Sequence, residues 1–174
     1  MVNAGDARLL LADDNEAVRA AHKRLLEGMD GVGSVIGAAD GVEVMQIGAT
    51  VPLDIAILDL NMPRLDGVDA ATRLAILQPT ISVALHSSDP SALRDRARGL
   101  DFALFDKIDV DGLTAWLAGE LERRQRRLAV DVRDVNCSRC GYGVAVDPPP
   151  VRCPMCNTSA DWTYLCTATQ DVIG

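Results

Sequence analysis

The chain has 174 residues, 48% hydrophobic but only 3% aromatic, and carries a formal net charge of −8. That length suits one domain of ordinary size with a small appendage, built on an aliphatic core. Residues 1–118 hold 18 acids against 10 bases, which argues against nonspecific nucleic-acid binding there, because phosphate contacts need clustered Lys and Arg.

Apolar runs of strand length stand at residues 9–12, 35–38, 55–58, 83–85 and 102–105. Segments of helical spacing separate them. In the first, Val18, Leu25, Leu26 and Met29 share a face, with Glu16, Arg19, Lys23 and Glu27 largely opposite. Residues 42–49, 68–77 and 91–98 fill the later gaps, and Pro52, Pro79 and Pro90 mark boundaries as helix breakers. A last helix over 111–128 aligns Leu113, Trp116, Leu117, Leu121 and Leu128 in one stripe. Strands alternating with helices predict an α/β fold, a parallel sheet covered on both faces with its binding crevice at the carboxyl ends of the strands. No apolar run approaches the ~20 residues that cross a bilayer, and the N-terminus lacks a charged-then-apolar signal pattern. The expected location is the cytoplasm, with no membrane partner.

Asp13 and Asp14 close the first apolar run and Asp59 the third. Acids at the ends of buried strands are costly unless a cation or a reaction uses them. Three carboxylates suit a hard divalent cation such as Mg²⁺, and a carboxylate can itself accept a phosphoryl group as an acyl phosphate. Ser87 follows the fourth run and Lys107 the fifth, which brings a hydroxyl and an ammonium to the same edge. The plainer readings make Asp14 or Asn15 a cap of the first helix, Asp66-Gly67 a turn and helix entry, and His22 and His86 packing or surface residues. For the acids, the whole constellation outweighs them.

The segments Leu10-Leu-Ala-Asp-Asp-Asn15, Ala39-Asp-Gly41 and Leu58-Asp-Leu-Asn-Met-Pro-Arg-Leu-Asp-Gly67, with Ser87 and Lys107, resemble a response-regulator receiver domain of bacterial two-component signalling. The resemblance covers residues 6 to about 127, and the domain is drawn over 1–128. It implies a flavodoxin-like, doubly wound five-stranded parallel sheet in the order 2-1-3-4-5. It implies that Asp59 is the phosphoacceptor, that Asp13, Asp14, Asp59 and the Asn61 backbone carbonyl bind Mg²⁺, and that Ser87 and Lys107 sense the phosphoryl group. The implied partner is a sensor histidine kinase or phosphotransfer protein, and a homodimer through the fourth-helix to fifth-helix face is a further expectation. Any enzymatic activity is at most Mg²⁺-dependent phosphorylation and dephosphorylation at Asp59. The chain departs from the family pattern in three places. Ile108 follows Lys107 where many receivers carry a cis-proline, Leu104 stands where an aromatic switch residue is common, and the span from Ser87 to Lys107 is slightly short. Ser88 is an alternative hydroxyl to Ser87.

All five cysteines lie in the last 38 residues, four of them as Cys137-Ser-Arg-Cys140 and Cys153-Pro-Met-Cys156. Two such pairs suit one tetrahedral metal rather than disulfides in a reducing compartment, and so short a segment needs a metal to fold. Residues 137–174 resemble a four-cysteine zinc ribbon and also the rubredoxin-type tail of rubrerythrins, so iron stays open beside the favoured Zn²⁺. Asn157 replaces the glycine usual in the rubredoxin-like form. Cys166 is expected to be a small buried hydrophobe rather than a fifth ligand, and Trp162, Tyr164 and Leu165 to cover the ribbon or, if exposed, to dock a partner. Residues 129–136 are the expected linker. The expected function is a response regulator whose output passes through the ribbon to an unknown protein target. The alternatives are a receiver-like scaffold without phosphorylation, an electron carrier, and a nucleic-acid-binding regulator using the basic stretch 123–127, which a solvated helix end explains more simply.

Overall fold

Leu9, Leu10, Leu11 and Ala12 are all fully buried, as a central strand of a sheet covered on both faces requires. They form most of β1 (Ala7–Ala12), which pairs in parallel with β2 (Val32–Ala38) and β3 (Ile55–Asp59). Beyond β3 lie β4 (Ser82–Ser87) and β5 (Ala103–Asp106), also parallel, giving the expected order β2-β1-β3-β4-β5. The architecture is that of a computed structural model describing residues 6–130, 134–140, 143–145, 152, 155–157, 159 and 162–164.

Strand alternation splits the core in two. Leu10, Ala12, Ala56, Leu58, Val83 and Leu85 pack with Val44 of α2 (Gly41–Gly48), Leu74 of α3 (Gly67–Leu77) and Leu93 of α4 (Pro90–Arg96). Leu9, Leu11, Ile55, Ile57 and Ala84 pack on the other face with Leu26 of α1 (Glu16–Glu27) and Leu113, Leu117 and Leu121 of α5 (Val110–Val130). All five strands depart slightly from the sequence expectation: β1 and β2 start two and three residues earlier, β3 ends one later, β4 extends at both ends, and β5 is shifted by one.

Each of the first four helices starts on an Asp or Asn whose side chain accepts backbone N–H groups of the first turn: Asn15, Asp40, Asp66 and Asp89. Asn15, not Asp14, caps α1, which leaves the Asp14 carboxylate for other work. Gly67 is required by a close approach, since a β-carbon there would lie 2.0 Å from the Asp59 carbonyl oxygen. The start of α3 is thereby pressed against the end of β3.

The chain divides into two compact units, Met1–Arg123 and Arg124–Gly174. Within the second, β6 (Asp134–Cys137) pairs antiparallel with both β7 (Gly143–Ala145) and β8 (Trp162–Tyr164), and Arg152 bridges Ser159. Among the described residues no helix is long and apolar enough to cross a membrane.

Leu117, at 0% exposure, anchors α5 on the sheet. Leu117→Ala is expected to cost about 2–5 kcal/mol, read from the urea midpoint of the sheet domain. A cost well below that range would show that α5 is not packed on the sheet.

Candidate functional site

The carboxyl ends of β1, β3, β4 and β5 converge on one pocket. Asp13 and Asp59 are buried there and Asp14 is exposed, and the three offer carboxylate oxygens all within 4.8 Å of one another. Lys107, just past β5, places Nζ 2.9 Å from Asp13 Oδ2 and 2.9 Å from Asp59 Oδ2. Burial disfavours its ammonium, but the two carboxylates outweigh that and raise its pKa. Burial pushes the Asp59 pKa up; Lys107 opposes that, the Asp13 charge adds to it, and the Asn61 amide opposes it slightly. That amide donates to Asp59 Oδ1 at 3.4 Å. The Asn15 amide donates to Asp13 Oδ1 at 2.9 Å, and the Arg19 guanidinium donates to the Asp13 carbonyl.

The donor set fits a hard divalent cation. Asp13 Oδ2 is buried and, apart from the Lys107 ammonium 2.9 Å away, has no hydrogen-bond donor among the described residues. One ammonium against three carboxylates leaves two negative formal charges unbalanced, in an arrangement of oxygens alone.

Ser87 is buried at the end of β4, paired with Asp106, and its carbonyl accepts from the Lys107 amide at 2.9 Å. Its hydroxyl accepts from the Asp89 amide at 3.0 Å. Ser88 is exposed beyond the strand, so the register makes Ser87 the hydroxyl at this edge.

A family model, the response regulator receiver domain, matches residues 9–113. The chain belongs to that family. Over 147 residues it is 30% identical to the transcriptional regulatory protein PrrA of Mycobacterium leprae, covering 84% of this chain and 60% of that protein. Over 136 residues it is 27% identical to protein-glutamate methylesterase/protein-glutamine glutaminase 2 of Burkholderia thailandensis, covering 78% of this chain and only 38% of that protein. The chain thus spans less than two thirds of the length of each of these curated relatives. Among solved structures, the signal receiver domain of the NarL response regulator from Mycobacterium tuberculosis superposes with a TM-score of 0.57 at 26% identity, covering 66% of this chain and 96% of that one. A CheY-like receiver from Methanospirillum hungatei, at 19% identity and a TM-score of 0.61 over 70% of this chain and 98% of its own, shares the fold. Receiver domains bind Mg²⁺ at an acidic pocket, and Asp13, Asp14 and Asp59 make up that pocket here.

This receiver carries side chains at the site to which the sequence assigned no site role. His86, opposite Asp59 in the β3–β4 register, is fully buried with neither ring nitrogen hydrogen-bonded to a described side chain. Its Nε2 lies 3.8 Å from Asp13 Oδ2, and its ring tilts against His22 of α1 with centroids 5.6 Å apart. Desolvation by burial lowers its pKa to about 4, with Lys107 adding to the effect and Asp13 opposing it. At neutral pH the ring is therefore an uncharged wall behind the acids. The signal in the sequence was a polar residue inside the run Val83-Ala-Leu-His86. Two arginines also brace the β3–α3 loop: Arg64 pairs with Asp40 and with Glu43, and Arg96 pairs with Asp66. At the departures from the family pattern, Leu104 is half-buried against the α3–α4 side of the core, Phe105 packs on Trp116 with ring centroids 5.8 Å apart, and Ile108 is 87% exposed.

In the second unit, Cys137, Cys140 and Cys156 bring their sulfurs within 4.8 Å of one another, and Cys137 Sγ lies 3.8 Å from Cys156 Sγ. Four thiolates at ~2.3 Å from one zinc sit about 3.8 Å apart along each edge of their tetrahedron. Asn157 adopts φ 50°, the left-handed conformation that Asn tolerates and glycine favours. Cys153, Cys166 and Leu165 lie outside the described residues, as do the side chains of Trp162 and Tyr164.

His86 sets a pH dependence of stability. Its folded pKa lies below the unfolded value, so between pH 6.5 and about 4 the unfolded chain binds a proton that the folded receiver does not. Stability falls with pH through that window by up to roughly 3 kcal/mol, and the lowered pKa of His22, caused by burial, acts in the same direction. The raised pKa of Asp59 acts oppositely, adding stability as that group protonates. Urea midpoints at pH 7 and pH 5 should therefore drop more in the wild type than in His86→Leu. Equal drops would refute the assignment.

Proposed function

We propose that the chain is a two-component response regulator that accepts a phosphoryl group on Asp59 from a histidine kinase or phosphotransfer protein. The observation that carries this reading is the Asp59 carboxylate, buried at the pocket floor and shared by Lys107 with Asp13. Burial raises the pKa of Asp59, which makes its carboxylate a more basic oxygen nucleophile for forming an acyl phosphate. An Asp59 oxygen attacks the donor phosphorus, the bond to the donor nitrogen breaks, and the electron pair leaves with the imidazole. Asp13, Asp14, Asp59 and the Asn61 carbonyl are the ligands that would hold Mg²⁺, which when bound neutralises phosphoryl oxygens. Lys107 changes partner from the Asp59 oxygen to the phosphoryl group. Ser87 trades its bond from the Asp89 amide for one to the same group. Both movements sit on the α4–β5–α5 side, which repacks.

Residues 1–128 are the receiver, 129–136 the linker, whose last three residues enter β6, and 137–174 a module held by Zn²⁺ on Cys137, Cys140, Cys153 and Cys156. The sulfur spacing, the antiparallel β6 hairpin and the left-handed Asn157 support a ribbon. Its role is output to a protein target in the cytoplasm. The basic end of α5 gives little support to nucleic acid, since Arg123 already pairs with Glu120.

Incubation with Mg²⁺ and acetyl phosphate should give one phosphate adduct by intact mass in the wild type and none in Asp59→Asn. An adduct that persists in the variant, or none in either, rejects the acceptor role; carboxylate-dependent Mg²⁺ binding separates the receiver from a bare scaffold. Metal analysis should find about one zinc per chain, lost on Cys140→Ser. Iron with visible absorption would instead mark an electron carrier.

A further inference from the structure

The loop between β3 and α3 is braced from both sides by arginines of unequal grip. Arg64 reaches α2, where its partner Asp40 is buried and also caps that helix. Arg96, the last residue of α4, reaches from the other side. Its Nη2 lies 2.8 Å from Asp66 Oδ2, and its Nη1 donates to the Asn61 side-chain oxygen at 3.4 Å. Here both partners of the ion pair are partly open to solvent, at 39% for Arg96 and 34% for Asp66. Such a contact is modest and reversible. Asn61 is the joint: its backbone N–H holds Asp59 Oδ1 and its side chain holds α4.

We propose that Arg96 is a positioning residue that keeps this loop closed over Asp59 through Asn61 and Asp66, and so prolongs the life of the acyl phosphate. The inference rests on the phosphorylation reading above. An acyl phosphate is lost when a water oxygen attacks phosphorus on the side opposite the Asp59 oxygen. The phosphorus–oxygen bond to Asp59 then breaks, its electron pair returns to the carboxylate, and the proton of the water passes to solvent as inorganic phosphate departs. A loop pinned at Asn61 and Asp66 narrows that approach, and a released loop widens it. Because the pin belongs to α4, the lifetime of the modification and the placement of α4 on the face that repacks become one variable.

The test measures decay of the phosphate adduct by intact mass after acetyl phosphate is removed, using the full chain in Mg²⁺ buffer. Arg96→Ala should shorten the lifetime about three- to fivefold, Arg96→Lys should recover part of it, and Arg98→Ala, which removes a surface pair with Asp95, should match the wild type. Asn61→Ala added to Arg96→Ala should shorten it little further, because both remove the same link. Asp66→Asn keeps the helix cap but removes the charge, so it should act in the same direction even if Arg96→Ala folds poorly. An unchanged or longer lifetime in Arg96→Ala or Asp66→Asn, or full additivity with Asn61→Ala, overturns the inference and leaves the phosphorylation reading standing. A wild type that takes up no phosphate overturns that reading instead.

Discussion

Two buried carboxylates on adjacent strands, Asp13 and Asp59, share one ammonium, and the rest of the receiver is arranged around that contact. Like charges this close in a desolvated pocket destabilise each other. Lys107 offsets the repulsion only because β5 delivers its backbone to the edge of β4, where its amide bonds the Ser87 carbonyl. Strand order is therefore part of the electrostatics. With β3 central between β1 and β4, the two acids and the ammonium arrive from three different strands at one point.

The surroundings of this contact are tuned to keep it short of neutral. His86 stands against Asp13 yet stays uncharged at neutral pH, so it adds shape without adding a cation. The helix caps consume Asn15, Asp40, Asp66 and Asp89 in local hydrogen bonds, which separates the acids that build turns from those that remain for a ligand. Gly67 lets the α3 backbone approach the Asp59 carbonyl. A side chain there would displace the loop carrying Asn61 and with it the floor of the pocket.

Much of this was legible in the residues, for identifiable reasons. Asp13, Asp14 and Asp59 stood out because carboxylates ending apolar runs conflict with burial, and the alternation of runs with helical segments is a local signal that survives folding. The choice between Ser87 and Ser88 was not legible, since it depends on where β4 ends against β5. His86 was read as a packing or surface residue, and its burial decides for packing, but its contact with Asp13 depends on a cross-strand register invisible in one dimension. The pairings of Arg64 and Arg96 carried no sequence signal, and only the fold shows that one ties the loop to α2 and the other ties it to α4. The cysteine pairs were plain from spacing, whereas the fit of sulfur separation to a tetrahedron needed coordinates.

The two candidate metal sites are chemically exclusive, and that lets one chain hold both. The receiver pocket offers oxygens and an ammonium, a combination that suits a weakly held hard ion kept partly hydrated. The cysteine cluster offers thiolates, which prefer zinc or iron and hold them in closed tetrahedra. On the proposed reading, a pocket that admits and releases a phosphoryl group would gain from a labile ion, held by Asp13, Asp14 and Asp59, that would neutralise phosphoryl oxygens when bound. A segment as short as residues 137–174 would gain from the opposite, an ion that does not exchange and that supplies folding energy. Ligand hardness therefore sorts the ions. On the proposed reading, the exchangeable ion would belong where the chemistry changes with each signal, and the fixed one where the structure stays the same between signals.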